Sequence, residues 1–122
     1  MSGGWIGVDL DGTLAHYEGW HGAQHVGEPV PKMIERVKRW LAEGRAVKIF
    51  TARVSHDGSP RRLREAEEAR AAIELWCAKH LGQTLPVTNA KDYAMIELWD
   101  DRAVQVWPNT GEPVGESTRG LS

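Results

Sequence analysis

Trp5-Ile6-Gly7-Val8-Asp9-Leu10-Asp11-Gly12-Thr13 is the stretch on which the fold turns. A short apolar run, its brevity and β-branched content favouring a strand, gives way abruptly to two acids two residues apart. Two carboxylates at one strand end repel each other if both are buried and unpaired, so the pair asks for a cation. A hard divalent ion with oxygen ligands answers that need, and magnesium also binds phosphate oxygens. Gly12 permits a sharp turn out of the strand. Taken alone, the pentapeptide Asp9–Thr13 also fits an Asp-Gly turn between two strands.

Outward from this stretch, strand-like and helix-like runs alternate. Ala46–Phe50 repeats the apolar form and stops at Thr51, and further short runs follow at Pro86–Thr88, Met95–Trp99 and Ala103–Trp107. A helix is expected from Pro31 to Glu43, with Met33, Val37, Trp40 and Leu41 on one stripe and Gly44 beyond its end. A second is expected from Pro60 to Leu81, with Leu63, Ala66, Ile73, Trp76 and Cys77 turned inward and Gly82 as its stop. Such alternation predicts an α/β fold around a mostly parallel sheet. In these sheets ligands bind beyond the carboxyl ends of the strands. Residues 15–30, rich in His and Gly, read as a loop or small flap, and residues 109–122 as a loose tail. The stretch Asn89–Ala94 is too short for a full helical crossover.

Three further signals follow, two of them at predicted strand ends. Asp100-Asp101 follows Met95–Trp99 and suggests metal ligation, though an exposed turn has the same composition. Thr51 offers a hydroxyl that can donate to a phosphate oxygen. Lys91 can neutralise a carboxylate or a transferring phosphoryl group, although a single lysine is ordinarily a surface charge.

Acid pair, hydroxyl, lysine and acid pair, in that order, resemble the four motifs of the haloacid dehalogenase superfamily of phosphohydrolases. The resemblance covers residues 5–107. Motif one is matched by Asp9-Leu10-Asp11-Gly12-Thr13, motif two by Thr51 within Ile49-Phe50-Thr51-Ala52-Arg53, motif three by Lys91 on order alone, and motif four by Asp100-Asp101. It implies a three-layer Rossmann-like core in a single domain. By the same resemblance, Asp9 is the nucleophile and becomes phosphorylated, and Asp11 is the general acid and base. Asp9, the Asp11 backbone carbonyl, Asp100 and Asp101 hold Mg2+, while Thr51 and Lys91 orient the phosphoryl group. An acid at position 11 marks phosphatases and phosphotransferases within that family. Gly12, Thr13, Ala52 and Arg53 are expected to contact substrate.

Cap domains in that family follow motif one or lie between motifs two and three. This chain has room there only for a flap and one helix, so no substantial cap is expected and the site should be open. An open site suits a nucleotide or nucleic-acid end. The pattern is also similar to the 3′-phosphatase domain of polynucleotide kinases, with Asp100-Asp101-Arg102 near its end. Arg53, Arg61 and Arg62 are placed to meet a phosphodiester, and Trp20 or His21 to stack on a base. A small-metabolite phosphatase is the second expectation, and a phosphoprotein the third.

Bulk properties narrow this less. The 122 residues argue for one domain, and the formal net charge of −2 points to neither a nucleic-acid nor a membrane partner. Between Lys32 and Arg64, however, ten Lys/Arg face three Asp/Glu. A solvated helix face explains that surplus, and so does a surface for polyanions. The single cysteine, Cys77, excludes an intrachain disulfide and suits a reducing compartment. No membrane-length apolar run or signal-peptide pattern is present, so a cytoplasmic monomer or homodimer is the expectation. His16, His21 and His25 have spacings compatible with a transition metal, but no fourth ligand is patterned nearby, and exposed loop residues are the plainer reading. Two rivals remain at this level. One is a phosphoacceptor that stores the aspartyl-phosphate without turnover, and the other is a purely structural α/β module.

Overall fold

The computed structural model describes residues 3–115. Four strands form one sheet: β1 (Trp5–Asp9), β2 (Ala46–Phe50), β3 (Val87–Thr88) and β4 (Met95–Trp99). Their order is β3-β2-β1-β4, and every pairing is parallel. Two α-helices, α1 (Pro31–Ala42) and α2 (Pro60–Leu81), supply the crossovers into β2 and β3, with a short 3-10 turn at Ala52–Val54. The chain is thus an α/β protein with a Rossmann-like core. No cap domain interrupts it among the described residues.

Local chemistry sets the helix bounds. Pro31 and Pro60 occupy first-turn positions, where a missing N–H costs nothing. The Ser59 hydroxyl accepts from the Arg62 N–H, and Gly82 takes the left-handed position that ends α2. Helix α1 closes one residue before the expected Glu43, which serves as its cap.

Alternation along the strands divides the sheet into two unlike faces. Ile6, Val8, Val47, Ile49 and Val87 share one face and form a single cluster with Val37 and Trp40 of α1 and Ile73, Trp76 and Cys77 of α2. Each fully buried aliphatic side chain there contributes about 1.5–3 kcal/mol. Cys77 is fully buried in this cluster, and desolvation pushes its thiol up to about 11. The opposite face carries Trp5, Gly7 and Lys48. The Lys48 ammonium lies 4.5 Å from the centroid of the Trp5 ring, whose Nε1–H donates to Asp92 at 2.8 Å.

Four expectations need correction. The two helices share one face, so the core has two layers of secondary structure; the β3–β4 connection is too short to carry the helix of a third. Ala103–Trp107 is not a fifth strand of the sheet. Instead Gln105 and Trp107 pair backwards with Val114 and Glu112 around a Val106–Pro113 bridge, so residues 109–115 are one arm of a small hairpin rather than a loose tail. Residues 116–122 of that expected tail lie outside the described residues. Leu63, expected inward, is exposed on α2. No helix among the described residues is long and apolar enough to cross a membrane.

Candidate active site

The strand order places a topological switch point between β1 and β4, because the chain moves outward from β1 to one side through β2 and β3 and then returns to the other. Asp9 ends β1, and Asp100 and Asp101 follow β4, so all three acids stand at the carboxyl-end crevice of that switch point. One carboxylate oxygen from each of Asp9, Asp100 and Asp101 lies within 4.8 Å of the others, the only such group of His, Cys, Asp or Glu among the described residues. The Arg102 N–H donates to Asp100 Oδ1 at 2.8 Å and fixes that carboxylate in an Asx turn.

Crowding shows in the electrostatics. Burial pushes the Asp9 carboxyl up to about 7, helped by the Asp101 side chain within hydrogen-bonding reach and the charges of Asp100 and Asp101, and opposed by the Thr13 hydroxyl donating at 3.3 Å. A hard cation relieves such repulsion, and an all-oxygen donor set fits magnesium. Gly12 is required beside it. Its φ of +89° is left-handed, and an added Cβ would run into the Asp101 carboxylate.

These acids open into a cleft of ≈ 470 Å³ lined also by Asp11, Tyr17, Trp20 and Ala23 from the flap side, Ala52, Arg53 and Ser55 after β2, Arg62 and Glu65 of α2, and Arg102. The flap is pinned at its base. Ala15 bridges Pro29, the His16 N–H donates to the Glu28 carbonyl, and Trp76 Nε1–H donates to the Gly27 carbonyl at 2.9 Å. Glycine is required at position 27 because a Cβ would strike the His16 carbonyl.

Arg53 joins the flap to the site. Its Nε and Nη2 donate to the two Asp11 oxygens at 2.8 Å each, its Nη1 donates to the His25 carbonyl at 2.6 Å, and it stacks 4.9 Å from the Trp20 ring centroid. With its side chain only 5% exposed, Arg53 is a tie between Asp11 and the flap. Its donors are turned to protein partners rather than outward.

The expected site residues therefore divide. Asp9, Asp100 and Asp101 converge. The Asp11 carboxylate lines the cleft but belongs to Arg53, not to the acidic triad. Ala52 and Trp20 line the cleft. Thr13 and Gly12 flank Asp9 and Asp101 without lining it. Thr51, 3% exposed, sits beneath, its hydroxyl oxygen accepting from the Arg53 N–H at 3.2 Å. His21 packs on His25 at 5.2 Å within the flap, outside the cleft lining, and the loop histidines form no metal-ligand group. Lys91 is exposed on the β3–β4 connection and does not line the cleft. Arg61 and Arg62 both pair with Glu65, and only Arg62 reaches the lining. Sequence reasoning missed Tyr17, Ala23, Ser55 and Glu65, and gave Arg102 no role of its own, although Arg102 directly follows the acid pair.

The fold and site thus define a parallel α/β protein with an acidic, arginine-rimmed cleft at its switch point. Comparison with protein-family models finds no matching family, and neither the curated proteins nor the solved structures give a match.

Proposed function

We propose that this chain is a magnesium-dependent phosphomonoesterase of the haloacid dehalogenase type, working through an aspartyl-phosphate on Asp9 and acting on nucleotides or nucleic-acid ends. The observation that carries the reading is the convergence of Asp9, Asp100 and Asp101 within 4.8 Å at the carboxyl ends of two adjacent strands. Magnesium held by these three acids would supply positive charge to the phosphoryl oxygens and offset the repulsion among the carboxylates.

An Asp9 oxygen attacks phosphorus as the bond to the leaving oxygen breaks, and Asp11 gives that oxygen its proton. Asp11 then takes a proton from the water that hydrolyses the acyl-phosphate, releasing inorganic phosphate and restoring Asp9. Arg53 donates to both Asp11 oxygens, so this role requires the Arg53–Asp11 pair to loosen when substrate enters. Thr51 keeps its hydroxyl proton for a phosphoryl oxygen, since its bond from Arg53 uses only the oxygen. Arg62 and Arg102, in the cleft, supply the positive charge expected of Lys91. The exposed rings of Tyr17 and Trp20 give a base something to stack on, which favours a nucleotide over a sugar phosphate.

The same clamp favours a second reading, a phosphoacceptor in which Asp11 is too restrained to complete dephosphorylation. One experiment separates the readings. Phosphate release is followed with Mg2+ or EDTA across an aryl phosphate, nucleotides, 3′- and 5′-phosphorylated oligonucleotides, sugar phosphates and phosphopeptides. Turnover with Mg2+ that Asp9→Asn abolishes is expected, fastest on the nucleotide or oligonucleotide members. A stoichiometric burst without turnover selects the acceptor reading, and activity retained in Asp9→Asn removes both.

A further inference from the structure

The outer face of α2 carries a stripe that the site does not use. Glu68, Ala72, Leu75 and Lys79 succeed one another at spacings of four, three and four residues, which places them along one side of the helix. Leu75 is 74% exposed, against 37% for Leu63, the other exposed leucine of this helix. Beside it lies a groove of ≈ 470 Å³ between α2 and the flap, walled by Gln24 and Val26 and bordered by Trp76. Neither Glu68 nor Lys79 has an ion-pair partner among the described residues.

The order along this stripe, acid, small, large, base, is complementary to its own reverse. Two copies of α2 laid antiparallel about a point between Ile73 and Glu74 set each Glu68 opposite the other copy's Lys79. The same operation sets each Leu75 opposite an Ala72, a large side chain against a small one. A two-fold interface requires this property, because one patch must match itself. A foreign partner would have to bring the same order of chemistry, whereas a second copy already has it. At 1.5 Å per residue the stripe spans about 16 Å, so the contact is small and its affinity modest.

We infer that this chain forms a two-fold dimer by antiparallel packing of α2 against α2, and that the contact braces the flap, since Gln24 and Val26 wall the groove the partner enters. This inference is independent of the reaction at Asp9. Sedimentation velocity on the full chain, from about 5 to about 500 µM to suit a contact this small, tests it. The expected result is a mass rising from one copy to two across that range, and a single copy throughout for Leu75→Glu. Glu68→Lys and Lys79→Glu should each weaken the dimer by about tenfold or more, and combining them should bring it back near the parent. All four positions touch solvent, so thermal melts should show each variant folded. A chain that stays monomeric, a dimer indifferent to Leu75→Glu, or a double swap no tighter than the single ones would each overturn the inference.

Discussion

Asp9 opposes folding to a degree that depends on pH. Its carboxyl is raised from 3.8 to about 7, so between those values the folded chain binds a proton that the unfolded chain has lost. The resulting destabilisation is absent below about 4, grows as pH rises, and is complete above about 7. In EDTA, Asp9→Asn should therefore match the parent in thermal stability at pH 4 and exceed it at pH 8. An unchanged difference between the two pH values would show that Asp9 is not crowded by its neighbours. Gly12 makes a second prediction at this scale. Gly12→Ala places a Cβ in a left-handed conformation against Asp101, which should cost about 1–2 kcal/mol in a denaturant melt and weaken Mg2+ binding. The acids were legible because each stands directly after an apolar strand, where a carboxylate has few structural reasons to be. Arg53 was legible only as a cation: its partners Asp11 and Trp20 are 42 and 33 positions away, and no local pattern announces a tie of that reach.

The flap is the element whose behaviour that tie controls. Arg53→Ala removes two charge-assisted bonds to Asp11 and the contacts to the His25 carbonyl and Trp20 together. The expected loss is about 2 kcal/mol of stability, with faster limited proteolysis between Tyr17 and Gln24; Arg53→Lys, lacking the planar fork, should recover little of either. Proteolysis unchanged in both variants would show the flap to be held by its base alone. The bounds of α2 were readable because Pro60 and Gly82 punctuate it from both ends. Ala103–Trp107 misled because Val104 and Val106 alternate as a strand should, and alternation does not say which partner a strand will pair with. Here the turn at Pro108–Gly111 folds the chain back on itself before it can reach β4. Lys91 stands outside the cleft lining for a plainer reason. Order along a chain places a residue near a strand end only when that strand is long enough to carry it there, and β3 has two residues.

At the scale of the whole molecule, class and sheet were legible from alternating periodicity, but the layering was not. Both crossover helices cover one face, and the other is screened by Trp5, Lys48 and the β3–β4 loop, contacts that depend on tertiary placement. A core that thin should gain measurably from a ligand bound at the acidic crevice. Mg2+ at a hundredfold excess over its Kd is expected to add about 2.7 kcal/mol, a rise in Tm of roughly 10 °C for a chain of this size. Asp100→Asn should remove most of that rise, and a melt indifferent to Mg2+ in the parent would argue for a purely structural module.

Cys77 turns this into something that can be timed. The chain has one thiol, sealed under α2 and driven far from its reactive thiolate form, so a disulfide reagent can reach it only when the helix lifts away. The labelling rate in native buffer is therefore a built-in clock for opening of the core, readable without denaturant and without a substrate. A cation that binds the acidic crevice should slow that clock in proportion to its occupancy.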